Sequence, residues 1–211
     1  MLLKYTLITD GSSDRALMPI IDWLCRENFQ RPVEGQWFDP RPFSPPSLSL
    51  EERIIKGFEL YPCDILFIHR DSEGEDPELR FQEIHKAIKT LAEFEDRISH
   101  VCVVPIRMTE AWLLFDEMAI RKAAGNPNGN IDLNLPNIRQ IETVPDPKSI
   151  LFDALRTACE LPKRRRKRLD VNFRMHRVAE IIGDFSVLRN LTAFDRLEKD
   201  IQLLVADNME A

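Results

Sequence analysis

Asp64-Ile-Leu-Phe-Ile-His-Arg-Asp-Ser-Glu-Gly-Glu-Asp76 decides how the rest of this sequence is read. Residues 65–68 are a short run of branched and aromatic apolar side chains, the pattern of a strand buried on both faces. Four carboxylates follow, Asp71, Glu73, Glu75 and Asp76, around Gly74. Ligands of open α/β sheets bind outside the carboxyl ends of the strands. Acids gathered there, with little positive charge beside them, call for a divalent cation.

Outward from that stretch, strands and helices alternate. Residues 2–9 read as a first strand ending at Asp10-Gly11-Ser12-Ser13-Asp14. Gly11 suits a tight strand-to-helix turn, and Ser12 or Ser13 can cap the helix expected over 14–27, where Leu17, Ile20, Ile21 and Leu24 share one face. Residues 31–47 hold five prolines and read as an extended crossing with a short strand at 36–38. A helix over 50–60 leads into the central strand. Asp76-Pro77-Glu78 then starts a helix expected to reach 93, with a capping acid followed by proline at the first helical position. Residues 100–106 form another buried strand, and Pro105 marks its end or an edge. Thr109 is expected to cap a helix through 124, with Trp112, Leu113, Leu114 and Phe115 in the core. A loop over 125–137 and helices near 148–160, 173–182 and 195–206 complete the chain.

The pattern predicts an α/β fold: a Rossmann-like, mainly parallel sheet with flanking helices over residues 1–125, and a C-terminal helical extension over 126–211. The 211 residues suffice for that, and 44% apolar with 30% charged residues is ordinary for a globular protein. No apolar run approaches the roughly 20 residues that span a bilayer. The start lacks a signal-peptide cleavage pattern, and Cys25, Cys63, Cys102 and Cys159 are scattered without a C-x-x-C pair. A cytoplasmic protein with reduced cysteines is the expectation. Net charge is −6, although Lys163, Arg164, Arg165, Arg166, Lys167 and Arg168 are consecutive. Such a run can bind a polyanion such as nucleic acid, or simply form a solvated face.

Acids recur at equivalent points: Asp10 and Asp14 after the first strand, Asp71 and Glu73 after the central one, and Glu110 after a later one. Right-handed crossovers bring such strand ends to one rim. Oxygen donors favour Mg²⁺ or Mn²⁺ over zinc, and Mg²⁺ commonly shares its shell with substrate phosphates, so phosphodiester chemistry is the natural use. Read singly, Asp14 and Glu110 suit the dipole of a first helical turn, while Glu75 and Asp76 read as a solvated turn and a helix cap. His69 is left out of the ligand set, and His85 and His176 are expected on helix surfaces. No P-loop pattern is present.

Asp10-Gly11-Ser12-Ser13-Asp14, Asp71-Ser72-Glu73-Gly74, and Glu110-Ala-Trp-Leu-Leu after Arg107-Met108-Thr109 together resemble the Toprim (topoisomerase–primase) superfamily. The likeness is to its small stand-alone proteins, related to the nuclease half of overcoming-lysogenization-defect enzymes. It covers roughly residues 3–116. It implies a metal-dependent nuclease acting on DNA or RNA, with Asp14, Asp71, Glu73 and Glu110 on Mg²⁺ or Mn²⁺ and Asp10 as the acid/base group. Arg70 or Arg107 would steady a phosphate. It also implies a separately encoded ATPase partner and a part in phage defence, and leaves room for a homo-oligomer. The family usually carries glutamate where Asp10 stands, and one methylene less shortens the reach of a proton-transfer group. Two rivals therefore stay open: a non-catalytic subunit that binds a partner or nucleic acid, and a receiver-like phospho-acceptor at Asp71.

Overall fold

Parallel pairing of short apolar strands builds the centre of the molecule. A computed structural model describes residues 2–43, 47–91 and 98–210, with side chains through 206. Among them, β1 (Leu3–Ile8), β2 (Val33–Phe38), β3 (Ile65–His69) and β4 (Ser99–Val103) form an all-parallel sheet in the order β2-β1-β3-β4. Tyr5 aligns with Ile65, and Ile65 with Ser99. The chain leaves β1 toward β2 on one side and returns to β3 on the other. The switch point therefore lies between β1 and β3, where the C-terminal ends of both strands open onto solvent.

Period-two alternation divides the sheet residues between two apolar layers. Leu3, Tyr5, Leu7, Ile65, Phe67, Val101 and Val103 face α1 (Met18–Phe29) and the helices of the C-terminal half. Ile8, Leu66, Ile68 and Cys102 face α2 (Leu50–Leu60) and α3 (Pro77–Thr90). Every residue of β3 is buried, as expected of a strand covered on both sides. The later helices are α4 (Glu117–Ala124), α5 (Pro147–Ala158), α6 (Lys163–Arg166), α7 (Val171–Ile181) and α8 (Thr192–Glu210). One core runs from Leu3 in β1 to Ile201 in α8, so residues beyond 125 pack on the sheet directly. Helix α8 packs against β4, and Arg196 on it pairs with Glu78 of α3 at 3.1 Å, which covers the edge strand.

Several boundaries differ from the sequence expectation, each for a local reason. The helix expected over 14–27 is a 3-10 turn, Ser13–Leu17, followed by α1 from Met18. Pro19 has no N–H and fits only the first turn of an α-helix, which fixes the start. Ser12 makes no side-chain cap there. The helix expected over 109–124 is likewise a 3-10 turn, Thr109–Leu113, and then α4. Asp116 separates them, accepting from the Ala119 amide at 2.8 Å as a helix cap. Thr109 turns its side chain inward and caps nothing. Strand β2 begins at Val33, earlier than expected, because it pairs along all of β1. Strand β4 ends at Val103, ahead of Pro105, and 3-10 turns at Ile138–Thr143 and Ser186–Asn190 went unforeseen. Residues 92 and 93, the expected end of α3, lie outside the described residues. All four cysteines are free, three of them buried, and burial pushes the Cys25 and Cys102 thiols up to about 12. No helix among the described residues is long and apolar enough to cross a membrane.

Gly35 on β2 lies against the Tyr5 ring, so an added Cβ would overlap it. Tyr5 is pinned by its hydroxyl on Asp22 (2.8 Å) and by edge contact with Phe67. Gly35→Ala should therefore destabilise the fold by roughly 1–3 kcal/mol, the usual cost of overpacking. Urea unfolding measures it, and an unchanged midpoint would show that the ring moves aside freely.

Candidate metal centre

The site forms where the ends of β1, β3 and β4 meet. Asp14 sits in the 3-10 turn after β1, where its Oδ2 accepts from the Gly11 amide and its Oδ1 from the Ser13 hydroxyl, both at 3.0 Å. His69 is the last residue of β3 and is 1% exposed. Beyond β3 and β4 the backbone pairing continues: Arg70 N donates to Val103 O, Ser72 N to Pro105 O and Glu73 N to Arg107 O. Ser72, fully buried, accepts from the Arg107 amide at 2.9 Å. This zipper lays the acidic loop against the start of the Thr109–Leu113 turn, and the Thr109 amide donates to Asp71 Oδ1 at 3.1 Å.

Asp14, His69 and Asp71 thus converge, with one potential ligand atom from each within 4.8 Å of the others. This group can hold a metal ion. The histidine sets its polarity. Nδ1 lies 2.9 Å from the Val103 carbonyl, an acceptor, so Nδ1 carries the proton. Nε2 then faces Asp71 Oδ1 at 3.4 Å and Asp14 Oδ2 at 3.8 Å. The unprotonated Nε2 shares this space with the two carboxylates and with the Thr109 hydroxyl at 3.5 Å, so it can serve as a metal ligand beside them. Backbone support of Nδ1 is the usual arrangement behind a metal-binding imidazole. The residues fit such an ion, although the donor set includes a nitrogen where the sequence suggested oxygen alone.

The other expected residues fall at different distances from this centre. Glu110 is 3% exposed, and its carboxylate pairs with Lys148 Nζ at 2.9 Å. Burial acts to lower Lys148, but the bond to Glu110 and the charges of Glu110, Asp14 and Asp71 outweigh it and raise its pKa. Glu73 is exposed in the left-handed region (φ 53°) and lies outside the group. Asp10 also lies outside it, its carboxylate held by Arg53 and by Arg70 Nε at 3.1 Å. Arg70 reaches Glu83 as well, at 3.3 Å. Arg107 places its guanidinium against Gly74, whose φ of 90° and lack of a Cβ permit the approach. The six cations of 163–168 are all exposed, on and just beyond α6. His85 is exposed and His176 half-buried, and Trp112, Leu113 and Leu114 are buried as expected.

Sequence reasoning missed His69 and Lys148. His69 had a signal, as a polar residue closing a strand that is otherwise wholly apolar. Lys148 had one too: it follows the Asp146-Pro147 helix start, where a cation opposes the helix dipole.

Fold and site together define a parallel α/β protein with a group able to hold a metal ion beside its topological switch point. The chain matches no protein-family model, no curated protein and no solved structure.

Burial, aided by the charges of Asp14 and Glu110, pushes Asp71 up to about 6 from its ordinary 3.8, against the opposing pull of His69 and the Thr109 amide. A carboxyl raised in the folded state favours folding while protonated, and that contribution is lost as pH rises through the folded value. Without metal, the ionised form costs the fold up to about 3 kcal/mol. Asp71→Asn should therefore melt higher than the native chain above about pH 6 and lose that advantage below 3.8. Mn²⁺ should raise the melting temperature of the native chain and not of the variant. A variant that melts lower at every pH would make Asp71 a structural acceptor only.

Proposed function

We propose that this chain is a Toprim-like, metal-dependent nuclease that cleaves phosphodiester bonds in DNA or RNA. The observation that carries the reading is the meeting of Asp14, His69 and Asp71 at the C-terminal rim, with one potential ligand atom from each close enough to share one ion. Two carboxylates and an imidazole suit Mn²⁺ well, and Mg²⁺ with water completing its shell. A bound ion of this kind would activate water and neutralise charge building on a phosphate.

The chain's own residues would do the rest. Thr109 and Gly11 fix the two carboxylates through their amides. Lys148 holds a permanent positive charge next to Glu110 and close enough to feel Asp71. Arg70 and Arg107 flank the loop that carries Asp71 and can orient phosphate oxygens, as a forked guanidinium does well. Cations 163–168 would add affinity for a polyanion without reading its sequence. The Toprim resemblance adds an ATPase partner and a part in phage defence to this reading.

A second reading has one observation of its own. Asp10, at the family's acid/base position, is occupied by Arg53 and Arg70. A subunit that kept the fold and only binds nucleic acid or a partner would show this arrangement too.

Cleavage of supercoiled plasmid with Mg²⁺ or Mn²⁺ separates the two. Activity is expected with either ion, and Asp71→Ala should lower it by about two orders of magnitude or more, the scale of losing one key polar group in a preorganised site. Equal activity in that variant would assign the cleavage to a contaminant, and no activity with either ion would favour the binding subunit. Glutamine at Lys163, Arg164, Arg165, Arg166, Lys167 and Arg168 together should weaken nucleic-acid binding alike for all sequences and flatten its salt dependence. An unchanged slope would make the run a solvated face.

A further inference from the structure

Two cavities are lined by chain neighbours of Asp14 and Asp71, and Arg41 lines both. The first, of about 370 Å³, gathers the guanidiniums of Arg41, Arg53 and Arg70 around a single lining carboxylate, Asp10. Arg53 also donates to the Thr9 carbonyl at 3.1 Å, and Arg41 pairs with Asp39, outside the cavity. Arg70 reaches Glu83, likewise outside it. Each guanidinium has five N–H donors in a planar fork, so donors remain for a phosphate after these bonds are made. The second cavity, of about 390 Å³, is lined by Ser12, Arg15, Trp37, Phe173, His176 and Glu180 among others. Arg15 and Arg41 stand 5.9 and 5.8 Å from the Trp37 ring centre, and the indole N–H is fixed on Thr9 Oγ1 at 3.0 Å. Phe173, in the first turn of α7, is 57% exposed at the rim of this cleft.

An aromatic ring that open adds nothing to the core, and it shares its cleft with two arginines that lie over Trp37. Guanidinium planes and aromatic faces are the surfaces on which unpaired bases stack, and a neighbouring arginine pocket suits their phosphate. We propose that the two cavities form one groove for single-stranded nucleic acid. A phosphate sits among Arg41, Arg53 and Arg70, and the adjoining base stacks on Phe173 and the guanidinium planes beside Trp37. A duplex keeps its base faces stacked on each other and cannot enter the cleft. Asp10 competes with the phosphate for Arg53 and Arg70. The position next to Asp71, through Arg70, and next to Asp14, through Ser12 and Arg15, ties the groove to the nuclease reading, which it deepens by naming the strand state of the substrate.

The test reads binding alone, in EDTA, so that absence of cleavage leaves it intact. Fluorescence anisotropy would follow labelled single-stranded DNA and RNA of about 12 nucleotides, and a duplex of the same sequence. Either single strand should bind more tightly than the duplex. Phe173→Ala should weaken single-strand binding about tenfold, the scale of one lost stacking contact. Arg41→Ala should weaken it and lower the salt slope by about one ion. Asp10→Asn should tighten it. Phe173 and Arg41 are both exposed, so neither substitution threatens the fold. A second series with glutamine throughout 163–168 removes any binding by the basic run that would mask the effect. Duplex binding as tight as single-strand binding, or affinities unchanged in both Phe173→Ala and Arg41→Ala in that series, would overturn the proposal.

Discussion

Nδ1 of His69 donates to the carbonyl of Val103, and the rest of the site follows from that bond. With Nδ1 committed, the other ring edge points at two carboxylates from different parts of the chain and at the Thr109 hydroxyl. Two carboxylates held that close are eased by a cation between them or by a proton on Asp71. The raised pKa of Asp71 has the same origin: a carboxylate withdrawn from water and crowded by Asp14 and Glu110. Groups held at such a disadvantage are costly to a fold, and they cluster at functional sites and in buried ion-pair networks.

The scaffold that holds this bond is rigid because β3 is covered on both sides. Leu66 and Ile68 face α2 and α3, and Ile65 and Phe67 face the larger layer. His69 inherits its direction from that alternation. Backbone pairing between the loops after β3 and β4 then carries the order one step past the sheet. Asp71 is thus held by continued strand geometry and by the Thr109 amide, more firmly than a loop residue usually is. The helices beyond residue 125 complete the site, since Lys148 on α5 supplies the partner of the buried Glu110.

Charge is divided between neighbouring compartments of the rim. On one side two acids and an imidazole form a group that can hold a cation. On the other, Arg41, Arg53 and Arg70 surround Asp10 and present a surface suited to an anion. The loop 10–14 separates them: Asp10 faces the arginines and Asp14 the histidine. A phosphate placed along this boundary would meet guanidiniums and a cation site together.

The sequence alone determined the parallel α/β architecture. Short buried strands and amphipathic helices have periods that survive in any context, and the Asp76 and Asp146 helix starts act within one turn. It also marked Asp14, Asp71 and Glu110 as acids at strand ends. Tertiary structure decided which of these meet. Asp10 and Asp14 lie four residues apart, and only the path of the turn sends one to Arg53 and Arg70 and the other to His69. The place of Lys148 depended on how the last helices pack across the sheet, a contact between segments far apart in the chain. Such contacts leave no periodic trace in sequence, because they are set by the closing of the core and not by the backbone's local preferences.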